Sequence, residues 1–288
     1  MGKKNYGKSV KTRLLNLMNE TGYKYMYLLA RYFNERLLYR VSVSQYKDNF
    51  LSKGGTLLYA MDGLNARPTI DVDFMAERIS RDREFLTNVF QEILGIVCDE
   101  DGVTFDTENI TMEPITVEKK YPGTRFFFTA HMDSIIHKMS VDIGFGDVVT
   151  PYPASIDFPL LLPNIPSVNL QAYSLETVIA EKFHTMLDRD EYNSRMKDFF
   201  DCYQLLTKRQ LDDEILYDAI KATFDNRELE YNPKLKLFTT EFVNDANRQM
   251  QWKLFLRKIQ WKEELSFNVV MQVITDRLKP MAEKYWNK

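Results

Sequence analysis

The feature that most constrains the fold of this chain is a pair of aspartates, Asp71 and Asp73, within a short run of alternating apolar residues. The apolar members of the run are Ile70, Val72 and Phe74. Alternation with a period of two predicts a β-strand that buries one face and directs both carboxylates from the other, about 7 Å apart. Two like charges held side by side require a cation, and Mg²⁺ suits a site built from oxygen ligands. The pattern is also typical of solvated aspartates on the exposed face of a sheet.

A glycine pair lies shortly before these aspartates. Gly54-Gly55 follows the apolar pair Phe50-Leu51 and precedes an apolar run that ends at Ala60. The glycines therefore lie where a predicted strand turns into a predicted helix, with backbone N–H groups that are free to face phosphate oxygens. A plain turn would have the same sequence, and the aspartates that follow are what favour a phosphate-binding turn.

A third carboxylate is predicted from a second alternating segment, residues 135–143. Asp142 shares one face of this strand with polar neighbours, and the other face is largely apolar. The stretch from Arg125 to Ala130 is the predicted hairpin partner, with Met132-Asp133-Ser134 in the turn. Asp142 is therefore either a third ligand or an ordinary residue at the end of a strand.

Two later segments have helical periodicity and carry opposite charges on their apolar stripes. In the first, Ser174 is the predicted N-cap and Lys182 falls in the middle of the stripe. In the second, Asp198 lies between Cys202 and Leu205. A buried charge is costly unless it is paired, so we predict a Lys182–Asp198 ion pair. Without the upstream motifs, this pair is best interpreted as a structural salt bridge, or Lys182 as a lysine that extends to solvent.

These segments resemble, in order and spacing, the AbiEii/AbiGii toxin family of nucleotidyltransferases. The matching segments are Lys53-Gly54-Gly55-Thr56, Arg67-x-Thr69-x-Asp71-x-Asp73, Asp142-Ile143-Gly144-Phe145-Gly146-Asp147, and Ala180-Glu181-Lys182 followed by Arg195-x-Lys197-Asp198-x-x-Asp201. The resemblance covers most of the chain. It implies a polymerase-beta-like nucleotidyltransferase core with an α+β fold, in which a mixed sheet flanked by helices is followed by a C-terminal helical domain.

The resemblance also implies the roles of individual residues. The metal ligands for Mg²⁺ or Mn²⁺ would be Asp71, Asp73 and Asp142, and Asp142 would bind a second ion or activate the acceptor hydroxyl. Lys182 would neutralise phosphate charge, and Asp198 would orient it. The residues that would hold the nucleoside triphosphate (NTP) are Lys53, Gly54, Gly55, Thr56 and Arg67.

The implied activity is transfer of a nucleoside monophosphate from an NTP to an acceptor hydroxyl, with pyrophosphate leaving. The family implies the toxin of a toxin–antitoxin or abortive-infection phage-defence system, with a separately encoded antitoxin as partner and tRNA or another RNA as acceptor. Two alternatives stay open. A small-molecule nucleotidyltransferase of the antibiotic-modifying type would keep the carboxylates, whereas a non-catalytic nucleotide-binding toxin would keep the glycine turn and tolerate loss of Asp142.

Composition agrees with an intracellular enzyme. The chain has 288 residues, 44% of them apolar, which is enough for one compact core or two domains. Its two cysteines, Cys98 and Cys202, indicate neither a disulfide framework nor a cysteine-rich zinc site. No apolar run is as long as a membrane span, and no signal-peptide core follows Met1. We therefore expect a cytoplasmic protein without membrane contact.

The distribution of prolines predicts a domain boundary. Five of the ten prolines fall between Thr150 and Tyr173. We therefore predict a nucleotidyltransferase core with N-terminal helices over residues 1–165, and a helical domain over residues 166–288 that closes the active-site cleft.

Charge is unevenly distributed along the chain. The first forty residues contain nine Lys or Arg and two Glu, a net charge of +7, so the remainder carries −10 to reach the total of −3. This basic segment, which includes Lys3 and Lys4, is suited either to contact with a nucleic-acid backbone or to the solvated face of two helices.

Overall fold

The computed structural model of the chain describes residues 5–69, 71–115 and 123–287. Ile70, Lys3 and Lys4, which entered the sequence predictions, lie outside these ranges. The chain divides into two compact units. Unit 1 runs to Gly146 and resumes over Ala154–Ala172, whereas unit 2 comprises Asp147–Pro153 and the chain from Tyr173 onward.

Unit 1 contains helices and strands that follow one another irregularly along the chain. Its helices are α1 (Tyr6–Thr21), α2 (Tyr25–Val43), α3 (Gly54–Asp62) and α4 (Arg83–Leu94). Its strands are β1 (Phe50–Lys53), β2 (Val72–Ala76), β3 (Thr104–Phe105), β4 (Thr111–Ile115), β5 (Gly123–Met132), β6 (Ile135–Phe145), β7 (Ala154–Phe158) and β8 (Val168–Ala172). The predicted α+β fold with a mixed sheet flanked by helices is confirmed.

The described strands join into one mixed sheet with the order β3-β5-β6-β2-β1-β8-β7, and β4 also pairs with β5. Strand β2 is parallel to β6 and antiparallel to β1, and β1 is parallel to β8. The other pairs are antiparallel. Strands β6, β2 and β1 therefore lie in the middle of the sheet, where neighbours on both sides fix their register.

The predicted hairpin is confirmed, because β5 and β6 pair along their length around a turn at Asp133 and Ser134. The inward face of the sheet is strongly aromatic. Phe90 of α4 stacks on Phe126 of β5 with ring centroids 4.2 Å apart, and Phe50 of β1 packs on Phe74 of β2. Burying each ring of this size contributes roughly 2–3 kcal/mol. Because side chains alternate along a strand, burial of these rings on one face places the residues between them on the opposite face.

Helix α2 is buried on nearly all sides although it carries several charges. Its buried charged residues are Arg31, Glu35, Arg36 and Arg40. Arg40 donates two hydrogen bonds to the buried carboxylate of Asp101, and its Nη2 lies 3.2 Å from Oδ1. Glu35 accepts the backbone N–H of Leu161 at 2.7 Å and pairs with Arg36, also at 2.7 Å. These bonds tie α2 to segments far along the chain, since a buried charge needs a partner.

Three of the nine cations in the basic N-terminal segment fit neither the nucleic-acid interpretation nor the solvated-face interpretation. Arg31, Arg36 and Arg40 are buried, so they neither face solvent nor present charge to a nucleic acid. Arg31 lies over the ring of Tyr59, 3.1 Å from its centroid. Counting charge along the sequence treats every cation as a surface residue. The partners of Arg31 and Arg40, which are Tyr59 and Asp101, lie outside the counted segment.

Unit 2 is helical, as predicted for the C-terminal part of the chain. Its helices are α5 (Leu175–Arg189), α6 (Met196–Lys208), α7 (Asp213–Asn226), α8 (Thr240–Asn244), α9 (Ala246–Lys258) and α10 (Phe267–Trp286). Helix α5 packs on α6 and α7, and α10 packs on α6. The predicted N-cap is confirmed, because Ser174 Oγ accepts the backbone N–H of Thr177 at 3.1 Å. Within the described ranges, no helix combines the length and apolarity needed to cross a bilayer.

The proline-rich segment contributes strands to the sheet. β7 pairs with β8, and β8 continues the sheet because Ala172 is the register partner of Ser52 in β1. Unit 1 therefore extends past the predicted boundary at residue 165 to Ala172. The prolines flank these two strands without interrupting them, which is why their number suggested a linker. That the helical domain closes a cleft stays a prediction.

The buried ion pair of α2 generates the first test. Asp101→Ala should lower the free energy of unfolding by about 3–5 kcal/mol, because Arg40 and the N–H of Val103 would lose the buried carboxylate that accepts their hydrogen bonds. Urea denaturation followed by circular dichroism measures this change. The matched control is Glu77→Ala, which removes a 3.8 Å pair to an arginine that is 80% exposed and should cost less than about 1 kcal/mol. Equal losses in the two variants would contradict the structural role of Asp101.

Candidate active site

The glycine pair lies where a strand turns into a helix, as predicted, because β1 ends at Lys53 and α3 begins at Gly54. Gly54 has a φ of +61°, in the left-handed region that favours glycine. A methyl group on Gly54 would lie 2.5 Å from Asp73 Oδ2, and one on Gly55 would lie 2.8 Å from Thr69 Oγ1. The turn is therefore packed directly against the segment that carries the aspartates.

Thr56 reinforces this contact. Its hydroxyl donates to the backbone carbonyl of Asp71 at 3.1 Å, and its side chain is buried. Thr56 therefore fixes the start of β2 relative to α3. Arg67 is half-buried a few residues before Asp71, and its predicted role in NTP binding stays a prediction.

Four charged residues on neighbouring strands form one row across the sheet, which we call the charged row. Lys53 is the register partner of Asp73, Asp73 of Asp142, and Asp142 of Arg125. Register partners project from the same face, and adjacent strands are about 4.8 Å apart, so the row spans about 14 Å. A cation stands at each end and two carboxylates stand between them. Asp71 is exposed one residue before β2.

Asp142 is held by Arg125 in a two-pronged ion pair. Arg125 Nε donates to Oδ1 at 2.6 Å and Nη2 donates to Oδ2 at 2.7 Å. These hydrogen bonds are the main cause of a raised pKa of Arg125, to which the charges of Asp142, Asp71 and Asp73 add, while burial opposes the rise. The Arg125 guanidinium is therefore bonded to Asp142 and lies within the electrostatic influence of Asp71 and Asp73.

Sequence reasoning named Asp142 but overlooked Arg125. The signal was present, because counting back from a two-residue turn at Asp133 and Ser134 places residue 125 opposite residue 142. In the sequence, Arg125 marks only the start of the apolar stretch that is the predicted partner of the Asp142 strand.

The predicted metal ligands do not form a ready-made cluster. In the part of the chain that the structure describes, no three Asp, Glu, His or Cys side chains are gathered so that they would hold a metal ion. Asp142 faces Arg125, and Asp71 is exposed ahead of its strand. The donor chemistry does fit a hard divalent ion, because all three ligands offer oxygen and a carboxylate has about four lone-pair positions, of which Arg125 uses two on Asp142. Metal binding by these residues stays a prediction.

The predicted Lys182–Asp198 ion pair is confirmed, and it includes a second carboxylate. Lys182 Nζ lies 2.8 Å from Asp198 Oδ1 and 2.8 Å from Asp201 Oδ2. Asp198 and Asp201 are only 2% and 1% exposed. Arg195 Nε lies 2.5 Å from the other oxygen of Asp198. Burial tends to raise the pKa of Asp198, but the charges of Lys182 and Arg195 lower it to about 2.

Asp201 belongs to the segment that resembles the family, but it was not among the predicted site residues. It follows Asp198 by three residues, so helical geometry places both carboxylates on one face of α6. Two lysine or arginine charges and two aspartate charges make the cluster neutral overall. A neutral cluster around two buried carboxylates favours a structural role for Lys182, and its role toward phosphate stays a prediction.

The residue before Lys182 belongs to a half-buried ion network in unit 2. Glu181 lies 2.9 Å from Arg227 Nη2, which also lies 2.7 Å from Asp147. Tyr173 donates its hydroxyl to Glu181 at 3.3 Å. Burial, followed by the charges of Glu181 and Asp147, raises the pKa of Tyr173. Two adjacent residues of α5, Glu181 and Lys182, therefore both form ion pairs.

One family model matches most of this chain. The family model described as "Nucleotidyl transferase AbiEii toxin, Type IV TA system" matches residues 36–273, which include every predicted site residue. A comparison with curated protein sequences found no match. JHP933 from Helicobacter pylori is 16% identical with a TM-score of 0.49, over 89% of this chain and 94% of that one. A proposed nucleotidyltransferase from H. pylori is 15% identical with a TM-score of 0.47, over 89% of this chain and 97% of that one.

The close approach of Gly54 to Asp73 generates a test. Gly54→Ala should reduce nucleotidyl transfer at least tenfold, because the added methyl group would displace the Asp73 carboxylate. Gly22→Ala is the matched control, since Gly22 also has a positive φ of +74° but nothing lies within 4 Å of its added methyl group. Both changes should cost roughly 1 kcal/mol of stability for the left-handed backbone. Equal activity in the two variants would show that the contact is unimportant for the site.

The neutral cluster generates a second test. Lys182→Met should lower the free energy of unfolding by about 3–5 kcal/mol, because it leaves two buried carboxylates without their shared cation. Adding Asp201→Asn to this variant should restore part of the loss, with a coupling of at least about 1 kcal/mol in a double-mutant cycle. Thermal melting and transfer activity are measured on the same preparations. A stable but inactive Lys182→Met protein would assign the lysine charge to the substrate.

Proposed function

The chain belongs to the AbiEii family of nucleotidyl transferase toxins of type IV toxin–antitoxin systems, and from this premise we propose a metal-dependent transfer reaction on RNA. Family membership makes the chain a nucleotidyltransferase and implies an antitoxin partner. The proposed reaction moves a nucleoside monophosphate from an NTP to a hydroxyl of RNA, with tRNA as the proposed acceptor. The proposed biological role is that of an abortive-infection toxin in phage defence.

The charged row is the observation that carries this proposal. The row brings Asp73 and Asp142 together on adjacent strands, with the backbone of Gly54 packed against Asp73. Backbone N–H groups at the start of a helix bind phosphate oxygens, and carboxylates bind the divalent ion that accompanies a nucleotide. The turn and the carboxylates therefore offer the two kinds of partner that an NTP requires.

The chemical step would need little covalent participation by the protein. The acceptor hydroxyl oxygen would bond to the α-phosphorus, the bond from that phosphorus to the β-phosphate oxygen would break, and pyrophosphate would leave. The glycine turn would position the triphosphate, and Asp142 would complete the ligand set or take the hydroxyl proton. A divalent ion bound by Asp71, Asp73 and Asp142 would supply neutralisation of the charge that develops on phosphate oxygens.

Lys182 and Asp198 lie in unit 2, in contacts of their own. The family resemblance assigns them to the site, with Lys182 acting on phosphate charge and Asp198 orienting it. Lys182 is 12% exposed and forms ion pairs with two buried carboxylates, so its contacts are explained by packing within unit 2. Their catalytic roles therefore depend on the resemblance, whereas those of the glycine turn and aspartates also depend on geometry.

Incubation of the purified chain with each α-labelled NTP and total cellular RNA tests the proposal. We expect label in RNA with at least one NTP, dependent on Mg²⁺ or Mn²⁺ and abolished by a chelator. Asp73→Asn should reduce the label at least a hundredfold with little change in melting temperature, because it removes one ligand charge from a half-buried position. The matched control is Asp48→Asn at an exposed aspartate before β1, which should transfer normally.

Three outcomes would contradict parts of the proposal. Absence of label with every NTP would argue against RNA as the acceptor, and label on a small hydroxylated antibiotic would then favour the small-molecule alternative. Unchanged labelling by Asp73→Asn would exclude the carboxylate site. Expression of the active chain should also slow bacterial growth, and growth inhibition that persists in Asp73→Asn would indicate a non-catalytic toxin.

A further inference from the structure

We propose that Arg125 binds the triphosphate of the incoming nucleotide, and that Asp142 holds its guanidinium in place for this purpose. The inference depends on the proposed function, because it concerns the substrate of the same site. It adds a residue that neither the sequence motifs nor the family resemblance assigned. The ligand is defined by its chemistry, a chain of phosphate groups that carries several negative charges.

The position of Arg125 is the first argument. The charged row ends in Lys53 on one side and Arg125 on the other, with the Asp73 and Asp142 carboxylates between them. Lys53 directly precedes the glycine turn, so one end of the row lies at the predicted phosphate-binding backbone. Arg125 supplies positive charge at the far end, about 14 Å away by strand spacing. A triphosphate bound along the row would then have a cation at each end.

The unused hydrogen-bonding capacity of Arg125 is the second argument. A guanidinium has five N–H donors, and two of them bond to Asp142. Three donors remain on a side chain that is 45% exposed, so a ligand can reach them. The planar donors of arginine match phosphate oxygens in paired geometry, which a lysine cannot reproduce. Arg125 can therefore keep its bond to Asp142 and still bind phosphate.

Preorganisation is the third argument. Asp142 is 23% exposed and fixed in the middle of the sheet, and its two bonds hold the guanidinium plane in one orientation. An arginine that is already oriented loses less side-chain freedom when it binds a ligand. Asp142 thus acts as a positioning residue for Arg125 in addition to its proposed role as a ligand.

Charge balance is the fourth argument. Lys53, Arg125, Asp71, Asp73 and Asp142 sum to −1, from two cations and three carboxylates. Removal of Arg125 would make the sum −2 and increase the repulsion of an anionic ligand. The effect of Arg125 should therefore appear in the affinity for phosphates, even when the ligand has no base or sugar.

The test uses the full-length chain and three variants. Arg125→Met removes the cation, and Arg125→Lys keeps the charge but loses the paired donors. Lys138→Met is the matched control, because Lys138 is an exposed cation on the same face of β6 as Asp142 but at a different position along the strand. Isothermal titration with Mg²⁺ present measures the binding of an α,β-methylene NTP analogue, of inorganic tripolyphosphate and of the nucleoside. Thermal melting confirms that each variant is folded.

We expect Arg125→Met to weaken the binding of the analogue and of tripolyphosphate by the same factor, at least tenfold. The KM for NTP should rise correspondingly. Nucleoside binding should not change. The affinity of Arg125→Lys for both phosphate ligands should be intermediate, and that of Lys138→Met should remain within twofold of the affinity of the unmodified chain. Unchanged affinity for the analogue and tripolyphosphate in Arg125→Met, with only kcat reduced, would overturn the proposal, because Arg125 would then act only through Asp142.

The same measurements separate this inference from the proposed function. If the unmodified chain binds the analogue in an Arg125-dependent way but labels no RNA, the proposed reaction on RNA fails and the phosphate-binding role of Arg125 stands. If the unmodified chain labels RNA but Arg125→Met binds and reacts normally, only the inference fails. Absence of analogue binding by the unmodified chain would overturn both.

Discussion

Strand β2 pairs in parallel with β6 so that Asp73 lies opposite Asp142, and the arrangement of the candidate site depends on this register. A shift of one residue would reverse the face of every side chain on β2 and place Asp73 among the aromatic residues of the core. The packed face opposes such a shift, because Val72 and Phe74 would become exposed. The apolar residues of these strands therefore position the carboxylates without contacting them, and the glycine turn fits only against a strand in that register.

Within each unit, buried ion pairs hold helices to other segments of the same unit. In unit 1, α2 binds Asp101 through Arg40 and Leu161 through Glu35. In unit 2, Lys182 is held by Asp198 and Asp201 within the helical bundle. Such networks contribute little net stability compared with apolar packing, but loss of one partner is costly. They therefore fix which segments meet, and substitutions within them should affect folding before they affect chemistry.

The sequence predicted the parts of the site that depend on local pattern. Period-two alternation identified the strands of Asp73 and Asp142, helical periodicity identified the Lys182–Asp198 pair, and Gly54 was correctly placed at a strand-to-helix turn. The parts that it missed depend on contacts between distant segments. Arg125 becomes significant only through its cross-strand position, and Arg40 is buried only because Asp101 folds against it. β7 and β8 were not predicted, because prolines flank them. A cluster of prolines in the sequence can mark either the ends of strands or a linker, and composition does not distinguish the two.

Taken together with Asp71, the charged row carries too little positive charge for a bound NTP, which gives a physical reason to propose a divalent ion in addition to the ligand chemistry. Lys53 and Arg125 leave the three carboxylates with a net charge of −1, and an NTP at neutral pH adds about four negative charges. The protein cations that line the row are therefore too few to neutralise the bound substrate. A divalent ion bound between carboxylates and phosphates would offset part of this excess.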